Sequence, residues 1–181
     1  MELRRNWVGA VIGLLLGTPI SAPAIAGEPR GFVGINAGVF DVDLNEQSYF
    51  PRQVHLNAGV WLREGIAAEV HWGADAGEDT NDGLAISAHS YQGVYLRWQS
   101  PQLRLARAHI LSGYSWLELE GSIDDTDFPG RERFSGPALG VGLSLALTPT
   151  SPWSIGLAYT HHFLEDDMKT ESIHAAIQYD F

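Results

Sequence analysis

Eight segments of this chain alternate between apolar and small or polar residues with a period of two, and this pattern constrains the fold more than any other feature. The cleanest is residues 137–147, PALGVGLSLAL, in which leucine or valine at every odd position from 139 to 147 alternates with glycine, serine and alanine. Successive side chains of a β-strand point to opposite faces, so the pattern predicts strands with one apolar face. The predicted strands are 31–40, 53–62, 65–73, 88–99, 103–119, 137–147, 153–160 and 173–181.

The composition of the second face indicates which way the apolar face points. That second face holds glycine, alanine, serine, asparagine, glutamine, histidine and a few charges, whereas a soluble core needs leucine, phenylalanine and valine. A soluble β-sandwich or a lipocalin-like barrel also alternates, but its small-residue face would be the solvent surface and would carry more charge. We therefore expect the apolar face to contact lipid and the other face to line a polar interior. In the fifth segment this interpretation turns Arg107 and His109 inward.

The tryptophans support a membrane location. Trp72, Trp98, Trp116 and Trp153 lie near strand ends on the lipid-facing side, and amphipathic indole rings collect at membrane–water interfaces. Trp61 falls on the inward side, where we expect it to plug the rim of the barrel.

The connectors alternate strictly between short and long. The short ones are 63–65, 100–102 and 148–152, and the long ones are about 41–52, 73–87, 120–134 and 163–171. Outer-membrane barrels have short periplasmic turns and long outer loops, so this order predicts an even-stranded barrel with both termini periplasmic. Backbone amides in lipid must be paired within the protein, so the last strand should pair with the first. The prediction is an all-β, eight-stranded antiparallel up-and-down transmembrane β-barrel.

The amino-terminus resembles a cleavable secretory signal peptide. Arg4 and Arg5 precede the apolar run 8–16, and Ala24-Ile25-Ala26 fits the small-x-small cleavage pattern. The run is short of the ~20 residues that a spanning helix needs. We expect a signal peptide over 1–26 and one barrel domain over 27–181. The net charge of −11 argues against nucleic acid as a partner, and a chain with no cysteine has no disulfide.

Three segments resemble the small eight-stranded OmpA/OmpX-type family of bacterial outer-membrane barrels. Residues 62–73, LREGIAAEVHWG, and 135–162, SGPALGVGLSLALTPTSPWSIGLAYTHH, resemble its strands and turns. Ile177, Tyr179 and Phe181 resemble the carboxy-terminal sorting signal of such barrels. The resemblance implies an integral outer-membrane protein that contacts lipid and lipopolysaccharide, and a terminal aromatic residue read by the barrel assembly machinery. We expect a monomer.

The long connectors are strongly acidic. Their densest patch is Asp124, Asp125 and Asp127, whose carboxylate oxygens are suited to Ca²⁺ or Mg²⁺ but lack the spacing of an EF-hand. Divalent ions could also bridge these loops to lipopolysaccharide phosphates. The simpler interpretation is a solvated surface that resists aggregation. Beyond such divalent ions, we expect no cofactor.

Charged and titratable side chains should meet in the lumen. We expect Glu69, His71, Arg97, Arg107 and His109 there, with a salt bridge from Glu69 to Arg97 or Arg107, because an interior charge must be paired. Such a bridge could gate a narrow pore. The alternative is a static polar core, since eight strands enclose a space that side chains just fill.

Two histidines near the end of the seventh segment raise the possibility of an enzyme. His161 or His162 with Ser112 or Ser115 could belong to a triad like that of lipid A deacylases, but no nucleophile motif surrounds these serines and adjacent histidines point to opposite faces. We therefore predict a non-enzymatic envelope protein with a structural or surface-interaction role through its acidic loops. The alternatives are a narrow pore and a lipid A-modifying enzyme.

Overall fold

The computed structural model of the chain describes residues 30–44, 47–81, 83–123, 126–164 and 169–181. These contain ten strands, and no helix among them is long and apolar enough to cross a membrane. The strands are β1 (Gly31–Leu44), β2 (Gln47–Tyr49), β3 (Arg52–Arg63), β4 (Ile66–Gly77), β5 (Asp79–Asn81), β6 (Leu84–Gln99), β7 (Ala106–Ile123), β8 (Thr126–Ala146), β9 (Trp153–Phe163) and β10 (Lys169–Asp180). The predicted signal peptide, residues 1–26, lies outside the described residues.

Eight of these strands form a closed antiparallel barrel, as predicted. Each of the eight pairs with its neighbour in chain order, and β10 pairs with β1 from Phe32 opposite Asp180 to Val42 opposite Thr170. Gly31 and Phe181 exchange two backbone hydrogen bonds of 2.9 Å, which carry the pairing to the last residue. The described barrel wall therefore has no open edge along the β1–β10 seam.

The two ends of the barrel differ. We call the end that carries residues 64–65, 100–105 and 147–152 the turn end, and the opposite end the loop end. Gly65 sits in the tight β3–β4 turn with a φ of +73°, a backbone conformation that other residues rarely adopt. Gly31 and Phe181 also lie at the turn end.

Three of the long connectors, 41–52, 73–87 and 120–134, are mostly strand, so their prediction as loops was wrong. Strand β7 continues to Ile123, whereas its predicted segment ended at Leu119. Strand β8 begins at Thr126, whereas its predicted segment began at Pro137. The extended arms carry opposite charges directly across from one another, Glu120 opposite Arg131 and Glu118 opposite Arg133. Cross-strand pairs of this kind favour a hairpin over an irregular loop. The short strands β2 and β5 also belong to this loop-end sheet.

The apolar face points outward, as predicted. The odd-numbered leucines and valine of β8 and its end, Leu139 to Leu147, are 49–60% exposed, and Trp72 is 68% exposed. Small and polar side chains line the half of the lumen nearer the turn end, including Asn36, Asn57 and Ser154. Trp61 packs on the buried Phe32 ring at 5.4 Å, and together they narrow the turn end.

The loop-end half of the lumen is apolar, which corrects the expectation of a small, polar lining throughout. We call this group the apolar plug; it comprises Phe40, Val42, Tyr49, Ile86, Ala88, Tyr91, Leu117, Leu119, Phe134 and Leu164. Tyr91 and Leu117 are paired one register step from Trp72 and Trp116, the aromatic residues expected at a membrane surface. The strands therefore continue past that level, and the space they enclose there is filled as in a soluble core.

Candidate functional site

A buried ion pair between adjacent strands occupies the half of the lumen nearer the turn end. Arg97 on β6 donates from Nε to Glu69 Oε2 at 2.7 Å and from Nη2 to Oε1 at 2.9 Å. Glu69 on β4 has a fully buried side chain, and the guanidinium carbon lies 4.8 Å from the centre of the Phe32 ring. The two-point geometry satisfies both carboxylate oxygens, and the aromatic face below the cation limits the access of water.

Two further donors complete the coordination of Glu69. Asn57 Nδ2 donates to Oε1 at 2.6 Å, and His71 Nε2 donates to the same atom at 2.9 Å. Asn36 on β1 extends the network by donating to Asn57 Oδ1 at 2.9 Å. Asn36 and Asn57 were not among the predicted site residues, although the alternation of side chains along each strand places both on the inward face. The result is a hydrogen-bonded network that joins four consecutive strands of the wall.

Arg107 lies outside this network. Its Nη1 is 3.3 Å from Asp180 Oδ2 and its Nη2 donates to Gln102 at 2.6 Å, so it ties β7 to the terminal strand at the turn end. Both members of this pair are about 30% exposed, with side-chain values of 30% and 27%. The salt-bridge alternative that joined Glu69 to Arg107 was therefore wrong, because Arg107 pairs with Asp180 and Arg97 pairs with Glu69. Whether a position is odd or even in its strand (its parity) decides which face the side chain lies on. It does not decide the position of the side chain along the barrel axis.

A layer of imidazole and phenol rings lies between the ion pair and the apolar plug. The His55 ring is 5.1 Å from His71 and 4.8 Å from His174, and Tyr91 lies 5.4 Å from His55. Tyr95 packs on His71 at 4.8 Å, and its hydroxyl is 2.6 Å from that of Tyr91. These ring contacts fill the middle of the lumen.

His162 forms a second polar group in this layer. Its Nδ1 is 2.9 Å from Ser115 Oγ and its Nε2 is 3.1 Å from Ser172 Oγ. A triad needs an acid on the second nitrogen, and Ser172 stands there instead. Ser115 and His162 are 0% and 1% exposed, so no lipid surface reaches the hydroxyl. As predicted, His161 points to the other face, where its Nδ1 is 3.2 Å from Glu171.

The described lumen retains a cavity of only about 30 Å³. Its wall includes Glu69, His71, Arg97, His109 and His174. His71 Nδ1 and His109 Nδ1 are buried without a hydrogen-bond partner. A polar space of this size has room for one or two water molecules, which could bridge such atoms. The apolar plug closes the lumen on the loop-end side of this cavity. Phe32 and Trp61 narrow the lumen on the turn-end side.

The loop-end acids divide into described and undescribed positions. Asp124 and Asp125 lie outside the described residues, as does the side chain of Asp127, so the candidate cation patch stays a prediction. Among the described side chains, no group of three or more His, Cys, Asp or Glu residues could hold a metal ion. Arg131 pairs with Glu120 at 3.0 Å, so part of the acidic charge of the loop end is neutralised within the protein.

The terminal aromatic residues form an outward patch at the turn end. Tyr179 stacks with Phe181 at 6.5 Å between ring centres and packs on Trp153 at 4.9 Å. Phe181 is 63% exposed and Ile177 is 49% exposed. The three residues of the predicted sorting signal thus share one face, and their role in assembly stays a prediction.

Comparison with known proteins assigns this geometry to a family. Residues 12–181 match the model of the outer membrane protein β-barrel domain. No curated protein matches the chain in sequence. Similar solved structures include Ail, the attachment invasion locus protein of Yersinia pestis, with 16% identity, a TM-score of 0.60 and coverage of 86% of this chain and 100% of that one.

Two further structures show the same fold. The amino-terminal barrel domain of Pseudomonas aeruginosa OprF has 13% identity, a TM-score of 0.61 and coverage of 85% and 100%. Neisserial surface protein A has 13% identity, a TM-score of 0.56 and coverage of 83% and 97%. Identities this low establish the fold alone. With the family match over most of the chain, the protein belongs to the outer membrane protein β-barrel domain family and is a β-barrel of the bacterial outer membrane.

Proposed function

We propose that this protein is a non-enzymatic, non-conducting barrel whose acidic loop end mediates interactions at the cell surface. In this proposal the loop end faces outward and both termini are periplasmic. The four loop-end connectors hold 16 of the 22 Asp and Glu residues of the chain but only four Lys or Arg residues. A surface charged so strongly in one sense attracts cationic partners and repels anionic ones.

The apolar plug is the observation that carries this proposal. It draws side chains from all four loop-end connections: Phe40 and Tyr49, Ile86, Leu119 and Phe134, and Leu164. The same contacts that fill the lumen therefore join the four hairpins to one another. A packed base of this kind presents charged residues in a fixed arrangement, which lowers the entropic cost of binding.

The surroundings follow from the same arrangement. We propose that outer-membrane lipids cover the apolar belt, that divalent ions link the acidic rim to lipopolysaccharide phosphates, and that the protein is monomeric. The assembly machinery would read the patch formed by Ile177, Tyr179 and Phe181 during insertion. Burial of the Ser115–His162 pair and the serine in place of a triad acid support a non-enzymatic role.

Planar-bilayer recording tests the closed lumen. A plugged lumen predicts no stable conductance steps at neutral pH. Stable steps on the nanosiemens scale would overturn the non-conducting part of the proposal.

Binding of a fluorescent oligolysine peptide to the barrel in nanodiscs tests the acidic surface. We expect binding that weakens with salt and that falls severalfold in a variant combining Asp75→Asn, Asp79→Asn and Glu132→Gln. The asparagines keep acceptors for the hydrogen bonds that Asp75 and Asp79 accept from Gly77 N and Phe50 N. Glu64→Gln, at the turn end, is the matched control and should leave binding unchanged.

An anionic probe makes the test specific for charge. Ail has been solved with the heparin analogue sucrose octasulfate. The acidic rim of this chain predicts no binding of that sulfated sugar. Equal binding of both probes, or oligolysine binding that the triple variant leaves unchanged, would refute the proposed surface role.

A further inference from the structure

Five of the seven histidines of the chain are buried in the lumen. They are His55, His71, His109, His162 and His174, and none is more than 8% exposed. The other two, His89 and His161, lie at the loop end beside carboxylates, 3.3 Å from Glu120 and 3.2 Å from Glu171. Imidazole is the side chain whose charge changes in the mildly acidic range, so its concentration in a closed space calls for a physical explanation.

The lumen offers little compensation for added positive charge. Glu69 is the carboxylate that faces this layer among the described residues, and its oxygens are already held by Arg97, His71 and Asn57. Arg97 adds a cation from β6, which also contributes the phenols of Tyr91 and Tyr95. The Arg107–Asp180 pair faces the turn end. The parts of β1, β8, β9 and β10 described around the rings add amides, hydroxyls and glycines, such as Asn36, Ser144, Ser154 and Ser172.

The rings are close enough for their charges to repel. His55 has His71 and His174 within about 5 Å, at 5.1 and 4.8 Å between ring centres. Two imidazolium ions at such a separation repel by about 3 kcal/mol at an effective dielectric constant of 20. The buried layer therefore favours the neutral rings, and proton uptake would force rings apart or admit water.

The rings also support the apolar plug directly. Tyr91, a member of the plug, contacts His55 at 5.4 Å, His162 at 5.7 Å and His71 at 6.1 Å. Phe40, another member, contacts His162 at 5.5 Å. A displacement of the imidazole layer is thus passed to the side chains that join the loop-end hairpins.

We propose that the buried imidazole layer is an acid-responsive element: its rings stay neutral while buried, so mildly acidic conditions favour states in which they are exposed and protonated, and this loosens the apolar plug and the hairpins packed on it. The inference depends on the lumen alone and stands whatever the loops bind. Histidines in an unfolded chain protonate near pH ~6.5, so a fold that keeps them neutral loses stability as the pH falls below that value. Each ring kept neutral makes the folding equilibrium constant fall about tenfold per pH unit.

Urea titrations of the barrel in lipid vesicles between pH 7.5 and 5.0 test the proposal. We expect the folding constant of the wild type to fall at least ~60-fold from pH 6.0 to 5.0, which corresponds to two or more rings that each contribute about eightfold over this range. The variant His55→Gln/His162→Gln should take up about two fewer protons on unfolding, so its folding constant should depend less steeply on pH. The matched control His89→Gln/His161→Gln, which changes two histidines outside the lumen, should keep the wild-type slope.

Hydrogen exchange of the folded wild type covers the case in which the lumen variant does not fold. After correction for intrinsic rates, amides of 84–91 and 117–119 should exchange at least tenfold faster at pH 5.5 than at pH 7.5. A wild-type folding constant that changes less than tenfold between pH 6.0 and 5.0, exchange that does not change, or a folded lumen variant with the wild-type slope would overturn the proposal.

Discussion

Removal of the Arg97 guanidinium should be among the most damaging single changes in the lumen. Arg97→Leu leaves Glu69 with a fully buried carboxylate that has lost both of its charged hydrogen bonds, at 2.7 and 2.9 Å. Loss of one partner of a buried pair costs about 3–5 kcal/mol, because the remaining charge stays in a low-dielectric space. Asn57 and His71 still donate to Glu69, so we expect a value near the lower limit, about 3 kcal/mol.

A second substitution separates this cause from simple loss of packing. In Glu69→Gln/Arg97→Leu neither charge of the pair remains, and the side-chain oxygen of the introduced glutamine still accepts from Asn57 and His71. We expect the double variant to recover at least about half of the lost stability, since replacing both members of a buried pair is often nearly neutral.

Arg107→Leu is the matched control for the loss of an arginine in the same barrel. Its pair with Asp180 is 3.3 Å long and about 30% exposed, so we expect a loss of only ~0–1 kcal/mol. The assay is urea unfolding in lipid vesicles at pH 7.5, followed by the difference in gel mobility between folded and heated samples. Equal effects of Arg97→Leu and Arg107→Leu, or a double variant less stable than Arg97→Leu, would refute the reasoning.

Two further substitutions test the packing. Leu117→Ala truncates a plug side chain that is 1% exposed, so it should lower the free energy of unfolding by about 2–5 kcal/mol in the same assay. It should also speed amide exchange in the loop-end hairpins. A loss of stability below about 1 kcal/mol would contradict a packed plug. Gly113→Ala would push a Cβ atom against the backbone oxygen of Val94 and the Tyr95 ring, so we expect it to destabilise the barrel. The neighbouring Ser112→Ala adds no atom and should be close to neutral. Equal stability of the two variants would contradict the close approach of β6 and β7.

Much of the barrel follows from the sequence because a two-residue period leaves only two choices for each strand. Once lipid was assigned to the face of Leu139 to Leu147, the inward positions of Glu69, Arg97 and His109 followed from parity. Parity could not place these side chains along the barrel axis. The partner of Arg107 therefore emerged only from the register, which sets Asp180 opposite Phe32 at the turn end.

The loop end was harder to predict because its strands leave the pattern that lipid imposes. Residues 118–123 and 130–133 carry charges on positions that face water, so they lack the apolar alternation of a membrane strand. The signal was present in the spacing of Glu118 and Glu120 against Arg131 and Arg133, which suits a hairpin. The inward Leu117, Leu119 and Phe134 were an indication of the plug, but only the paired register brings them together.

Spin labels at single cysteines along residues 139–146 test the central claim most directly, since the chain has no cysteine of its own. The account predicts that labels at Leu139, Val141, Leu143 and Leu145 collide readily with lipid-soluble oxygen. Labels at Ser144 and Ala146 should be shielded from it, which gives a period of two along the strand. Oxygen accessibility that peaks at the even positions, or that shows no alternation in a folded barrel, would contradict an apolar face in lipid around a closed, polar lumen.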